Sequence, residues 1–219
     1  GDVLTTFGRD QFLGSEINGM LVDQKGALLV PTNVGFNTYY QGTWKQLSYA
    51  SFALPVFERT GRWTKDRQGD LWYSSHLGTA ILDEERGWRR FDSGGVIEGE
   101  LFSAIPGLLQ DRQGRYWFDA SRKWGLYAYD GIQWENFSEK HGAPGSARCA
   151  LETRDGHIWF GTGNGAYRFD GTSFTHYGVE DGLSHRVVSY MIEDRRGRVW
   201  FATAGGGVSI YDGTAFQRL

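Results

Sequence analysis

Asp194-Arg195-Arg196-Gly197-Arg198-Val199-Trp200-Phe201-Ala202-Thr203 reads as a glycine-closed turn running into a short apolar strand, and the pattern recurs along the chain. The other turns are Asp23-Gln24-Lys25-Gly26, Asp66-Arg67-Gln68-Gly69, Asp111-Arg112-Gln113-Gly114 and Thr153-Arg154-Asp155-Gly156. Their five glycines stand 43, 45, 42 and 41 residues apart. Tryptophan follows the glycine by three positions at Trp72, Trp117, Trp159 and Trp200, and Leu29 takes that place in the first unit. A period of about 40–50 residues built from short strands predicts a β-propeller.

The residues on either side of this run complete one unit. Val187 to Glu193 reads as strand A, Arg198 to Ala202 as strand B, Val208 to Tyr211 as strand C and Phe216 to Leu219 as strand D. Asp212-Gly213 reads as a two-residue hairpin turn between the last two, as do Asp130-Gly131 and Asp170-Gly171 in earlier units. Strand D has its own signature, an aromatic followed three residues later by an apolar residue: Trp44 to Leu47, Trp88 to Phe91, Trp134 to Phe137, Phe174 to Tyr177 and Phe216 to Leu219. In strand B, Ile158-Trp159-Phe160 and Val199-Trp200-Phe201 are bulky at consecutive positions, without the alternation expected of a sheet wetted on one face. Both faces are therefore covered, and the tryptophans are expected to pack between blades rather than to stack on ligands.

Composition agrees with an all-β chain. The 219 residues hold 32 glycines, 9 Trp, 11 Tyr and 14 Phe, which suits many tight turns joined by packed strands. Net charge is -3 with no basic tract, so neither a nucleic-acid surface nor an anionic-membrane surface is expected. No apolar run approaches the length of a bilayer span. Cys149 is the single cysteine and reads as a small buried hydrophobe of an innermost strand. The sequence opens at Gly1-Asp2-Val3 with no charged-then-apolar leader, which fits either a cytosolic chain or one whose leader has been removed.

The run Asp155-Gly156-His157-Ile158-Trp159-Phe160-Gly161-Thr162-Gly163-Asn164-Gly165 resembles the two-component regulator propeller repeat, as does Asp194 to Asp212. Asp181-Gly182-Leu183-Ser184 is similar to that family's connector between blades. Unit 1 departs from the pattern at Leu29, and unit 2 has Ser74-Ser75 where the family carries Gly or Ala before Thr. The resemblance implies a sensor-like role, often outside the cytoplasm, with sugars a common ligand class.

The expected fold is one all-β domain over 1–219, a propeller of five four-stranded blades in a closed ring, with repeats near 9–48, 49–92, 93–138, 139–178 and 179–219. Leu4 to Gly8 looks like a sixth strand D and is expected to complete, or add to, the last blade. A segment cut from a larger ring, naturally of seven blades, would expose two apolar blade faces, which disfavours it. The A–B turns are near copies of one another, whereas the B–C loops differ in every unit, so the face bearing the B–C loops and D–A connections is the candidate site. Asn33, His76, Asp119, Arg122, Lys123, Trp124 and Asn164 are its candidate ligand-binding residues. An Arg beside an aromatic can clamp a carboxylate or stack on a ring. Trp124 and Trp63 are the tryptophans outside the repeated strand positions. The D–A connections Ser48 to Gly61 and Asp92 to Pro106 are long and apolar, suited to capping the ring or to forming a partner groove.

Catalysis has little support. His76, His141 and His185 could share a face with Glu98, Glu100 and Asp181, but no H-x-x-H, C-x-x-C or EF-hand spacing joins them. No cofactor or metal is expected. The leading expectation is a monomeric, non-catalytic binding or sensing module for a small polar ligand, a saccharide foremost. A protein-interaction scaffold is the alternative. A metal-assisted lyase or hydrolase comes third, since virginiamycin-type lyases show that a propeller can be an enzyme.

Overall fold

A computed structural model of the chain describes residues 20–22, 25–32, 35–48, 62–75, 78–83, 87–90, 96–97, 100–101, 107–119, 125–137 and 142–219. Five four-stranded antiparallel sheets, each in sequence order, are the blades of a five-bladed β-propeller. The first blade is β1 (Leu21–Val22), β2 (Leu28–Pro31), β3 (Gly35–Tyr40) and β4 (Thr43–Ser48), and the second is β5 (Arg62–Lys65), β6 (Leu71–Ser75), β7 (Gly78–Asp83) and β8 (Gly87–Arg90). A two-stranded hairpin, β9 (Val96–Ile97) with β10 (Glu100–Leu101), lies in the connection to the third blade. The third blade is β11 (Gly107–Gln110), β12 (Tyr116–Asp119), β13 (Leu126–Tyr129) and β14 (Trp134–Asn136). The fourth is β15 (Cys149–Glu152), β16 (Ile158–Gly161), β17 (Ala166–Phe169) and β18 (Phe174–Tyr177). The fifth is β19 (Val188–Glu193), β20 (Val199–Thr203), β21 (Gly207–Tyr211) and β22 (Phe216–Arg218). The last blade thus has all four strands from its own repeat; the expected N-terminal strand at residues 4–8 lies outside the described residues. The chain divides into two units, Gly1–Gly107 and Leu108–Leu219.

The A–B turns are built by their first residue. Asp194 Oδ1 accepts the backbone N–H groups of Arg196 and Arg198, while Oδ2 takes the Trp200 indole N–H at 2.9 Å. Asp111 repeats this toward Gln113, Arg115 and Trp117. In the fourth blade Thr153 stands in that place and gives its hydroxyl to Asp155 and to the His157 carbonyl. The second turn residue reaches the neighbouring blade. Arg112 donates to the carbonyls of Thr153 and Arg154, and Arg154 donates to those of Asp194 and Arg195. The last residue of strand A on the receiving blade, Glu152 or Glu193, accepts the backbone N–H of the same arginine. A fork of guanidinium donors suits two adjacent carbonyls.

The C–D turns correct the sequence reading by one residue. Because Tyr211 pairs with Phe216 and Phe169 with Phe174, the two loop residues are Gly213-Thr214 and Gly171-Thr172, not Asp-Gly. Only the glycine has positive φ there, +104° at Gly213 and +103° at Gly171, which is the pattern of a II′ hairpin with glycine first. The preceding aspartate caps the loop: Asp212 Oδ1 accepts from the N–H groups of Thr214 and Ala215. In the first blade, by contrast, Gln41 and Gly42 both have positive φ, as in a I′ turn.

Packing follows the doubly covered strands. In β16, Ile158, Trp159 and Phe160 are 3, 2 and 0 % exposed. Ile158 and Phe160 join the cluster of Trp117, Leu126 and Phe137 from the third blade, whereas Trp159 points the other way, into Val188, Met191, Val199 and Phe201 of the fifth. In the first unit Leu29 and Phe36 meet Leu71, Tyr73 and Ala80, and Trp63 fills the same seam with its ring 5.7 Å from Phe36 and 5.1 Å from Tyr73. Packing between blades therefore accounts for Trp63. Of the strand B tryptophans, Trp72, Trp117 and Trp159 are buried and Trp200 is half-buried, with the Arg198 guanidinium 5.5 Å from its ring centre. Cys149 is half-buried rather than enclosed, its sulfur set against Gly161, where a side chain would collide with it.

Candidate functional site

The face of the second unit that bears the B–C loops and D–A connections is organised around Thr162 to Gly165. Thr162 N–H and hydroxyl both donate to the Gly165 carbonyl, and Asn164 N–H donates to the Thr162 hydroxyl. His176 Nε2 lies 2.7 Å from the Asn164 carbonyl, which can only accept, so this nitrogen carries the proton. Its ring leans on Tyr167, at 4.7 Å between centres. The next blade supplies the remaining bonds, since Val188 N–H donates to the Thr162 carbonyl and Gly165 N–H to that of Arg186. Gly165 has φ +99°, and a side chain there would run into the Tyr177 carbonyl. The loop is fixed through its backbone, and its outermost side chain is left for other use.

That side chain is Asn164. It is exposed, and its amide makes no hydrogen bond among the described residues. Beside it, the connection into the fifth blade presents His185 and Arg186. His185 Nδ1 accepts the N–H of Val187, and its Cβ lies where a side chain at Gly206 would collide, so this connection packs closely on the fifth blade's B–C loop. Ser184 ties the same connection to Thr203 and Ser209 by hydroxyl bonds. On the other side, the Arg148 guanidinium reaches over Gly163, 3.9 Å from where a Cβ would stand. Strands β15 and β19, which open just after Arg148 and Arg186, lie against each other.

Of the residues expected from sequence, Asn164 is placed on this face with a free amide. Asp119 ends β12, is 8 % exposed, and accepts the Ser146 hydroxyl at 3.2 Å, so it supports the D–A connection of the next blade. Asn33, His76, Arg122, Lys123 and Trp124 lie outside the described residues, as do His141 and Glu98. Sequence reasoning missed Arg148 and Arg186. Their signal was a shared Ser-x-Arg just before strand A, at Ser146-Ala147-Arg148 and Ser184-His185-Arg186. Among the described residues no group of three or more His, Cys, Asp or Glu could hold a metal ion, and no helix is long and apolar enough to cross a membrane.

Residues 142–164 and 182–205 match the two component regulator propeller family model. Each match takes in the connection before a blade and its first two strands, β15 and β16 in the fourth blade and β19 and β20 in the fifth. Structures similar to the whole chain agree in fold at low identity. One is the extracellular domain of the hybrid two component system BT3049 from B. thetaiotaomicron, at 17% identity and TM-score 0.61, covering 97% of this chain and 35% of that one. Another is virginiamycin B lyase from Staphylococcus aureus, at 13% identity and TM-score 0.69, covering 93% and 69%. A third is YCF48 bound to D1 peptide, at 14% and TM-score 0.60, covering 93% and 68%. The chain thus spans about a third of the length of the two component system domain. A comparison with curated proteins gives no match.

Proposed function

We propose that the chain is a non-catalytic ligand-binding or sensing module, acting outside the cytoplasm, that takes a small polar ligand of the saccharide class on the face bearing its B–C and D–A loops. One observation carries the reading. The Asn164 amide is exposed and free on a loop whose backbone is bonded at Thr162, Asn164 and Gly165. A polar group held still before the ligand arrives loses little freedom on binding. The opposite face supports the reading by contrast, because Arg112, Arg154 and Asp194 there are bonded within and between the turns. Asp119, Arg122, Lys123 and Trp124 of the same unit are proposed to join Asn164, with Trp124 stacking on a sugar face. Asn33 and His76 are proposed ligand contacts of the first unit's own B–C loops. The two component repeats and the extracellular neighbour favour a sensing role outside the cytoplasm.

The test is a glycan array followed by calorimetry on the wild type, Asn164→Ala and Trp124→Ala. A saccharide bound by the wild type and lost or weakened in both variants, at unchanged melting temperature, is the expected result. Absence of glycan binding, with a protein partner captured on this face, would replace it with the interaction-scaffold reading.

A further inference from the structure

We infer that the ligand is anionic, a saccharide carrying carboxylate or sulfate, and that Arg186 receives the charged group beside Asn164. The inference rests on the binding reading above and narrows it. Arg186 is exposed, and among the described residues its guanidinium has no hydrogen bond or ion pair. Other arginines of this unit are committed: Arg112 and Arg154 to turn carbonyls, Arg115 and Arg198 to aspartates, Arg218 to the Gly182 and Val179 carbonyls. Arg195 and Arg196 also point to solvent, but from the turn at the opposite end of the blade. On the loop face, the backbone of Arg186 is held by Gly165 N–H, so the guanidinium starts from a fixed root next to the free amide of Asn164.

A second cation flanks the same loop. Arg148 is exposed and its guanidinium lies over Gly163, next to Asn164 in the same loop. Among the described residues no acid pairs with Arg186. Asp119 is buried and takes the Ser146 hydroxyl, and Asp181 takes the Gly178 N–H beyond the end of β18. Glu180 is exposed beside Gly178, in the same outer stretch. Since the chain carries a net charge of -3, this positive ground is local rather than part of a generally basic surface. Guanidinium forks suit carboxylate and sulfate oxygens, and an amide at their side suits a hydroxyl.

The experiment is calorimetric titration of the whole chain with four probes: an oligogalacturonate tetramer, its methyl ester, a chondroitin sulfate tetrasaccharide and its desulfated form. We expect at least one charged probe to bind ~tenfold or more tighter than its neutralised partner, with affinity falling as salt is added. Arg186→Gln should abolish that preference, whereas Asn164→Ala should weaken charged and neutral probes alike. Arg148→Gln serves as the second variant should Arg186→Gln lower the melting temperature. Equal binding of charged and neutral partners, or binding of neutral probes alone, would overturn the anionic inference and leave the saccharide reading standing. If none of the four binds and the glycan array is also silent, both fall.

Discussion

Trp117 donates its indole N–H to Oδ2 of Asp111, 2.8 Å away and six residues earlier in the chain. The same bond joins Trp72 to Asp66 at 2.8 Å and Trp200 to Asp194 at 2.9 Å. The turn aspartate therefore does two things. It folds the turn through backbone N–H groups, and it satisfies the one polar atom of the tryptophan that the turn delivers into the blade seam. Asp111→Ala strands the buried indole N–H together with two turn N–H groups. The expected loss is about 1–3 kcal/mol in urea unfolding. A loss within error would mean that water replaces the carboxylate, and that the pairing is incidental to stability.

Trp159 and Trp200 occupy the same place in adjacent repeats but not the same surroundings. Trp159 is packed among Val188, Met191, Val199, Phe201 and Tyr211, whereas Trp200 is half-buried. Trp159→Ala should cost about 3–5 kcal/mol and Trp200→Ala clearly less. Equal losses would contradict the difference in burial. Chemical denaturation of the two variants side by side decides it.

The repeat was legible because it is written in residues with single jobs. Gly197 and its counterparts close turns, and the tryptophans fill seams, so spacing alone located strands such as β19 to β22 to within a residue or two. The hairpin turns were misread by one position because Asp-Gly serves a I′ loop and a capped II′ loop equally well. Only the pairing of Tyr211 with Phe216 decides between them. The link from Arg154 to the next blade was not legible, since an arginine in an exposed turn carries no mark of the carbonyls it will meet 40 and 41 residues away. Arg186 escaped notice for a related reason. Its meaning lies in what its neighbours leave unbonded, which depends on how the fourth blade's loop meets the fifth blade's connection.

Arg154→Lys tests the link between blades. The guanidinium donates to the Asp194 carbonyl at 2.7 Å and to the Arg195 carbonyl at 3.1 Å, while its own N–H is taken by Glu193. Lysine keeps the charge but cannot present two N–H groups in a fixed fork. Because the side chain is largely exposed, the expected loss is modest, about 1 kcal/mol or less. Faster hydrogen exchange of the turn at 194–197 should accompany it. Exchange unchanged from wild type would show that the two blades hold together without the arginine.

Acid should loosen the turns and hairpins in a defined window. The indole of Trp200, with Arg198 and the turn N–H groups, holds the Asp194 carboxyl well below its ordinary 3.8. The N–H of Ala215, with the hydroxyl and N–H of Thr214, draws Asp212 down to about 2. A depressed carboxylate stabilises the fold fully above its unfolded value, and that contribution is lost as pH falls through the folded value. Melting temperature should therefore hold steady above pH about 5 on account of these groups and fall between pH about 4 and 2. Asp194→Asn should flatten part of that fall. An acid profile identical to wild type would show that Asp194 does not take part.

Gly165 and Gly171 separate two costs that are usually mixed. Both have positive φ, +99° and +103°, so alanine at either position strains the backbone by at least about 1–2 kcal/mol. At Gly171 nothing lies within 4 Å of the added carbon. At Gly165 the carbon would meet the Tyr177 carbonyl, and His176 Nε2 at 2.7 Å, so the loop must move. Gly165→Ala should therefore be the more destabilising of the two. It should also displace Asn164, because the His176 bond and the Arg186 bond flank the same glycine. Any oligosaccharide bound by the wild type should bind Gly165→Ala more weakly and Gly171→Ala unchanged, with melting temperatures recorded in parallel. Equal binding by all three proteins would place the ligand elsewhere than on the Thr162 to Gly165 loop.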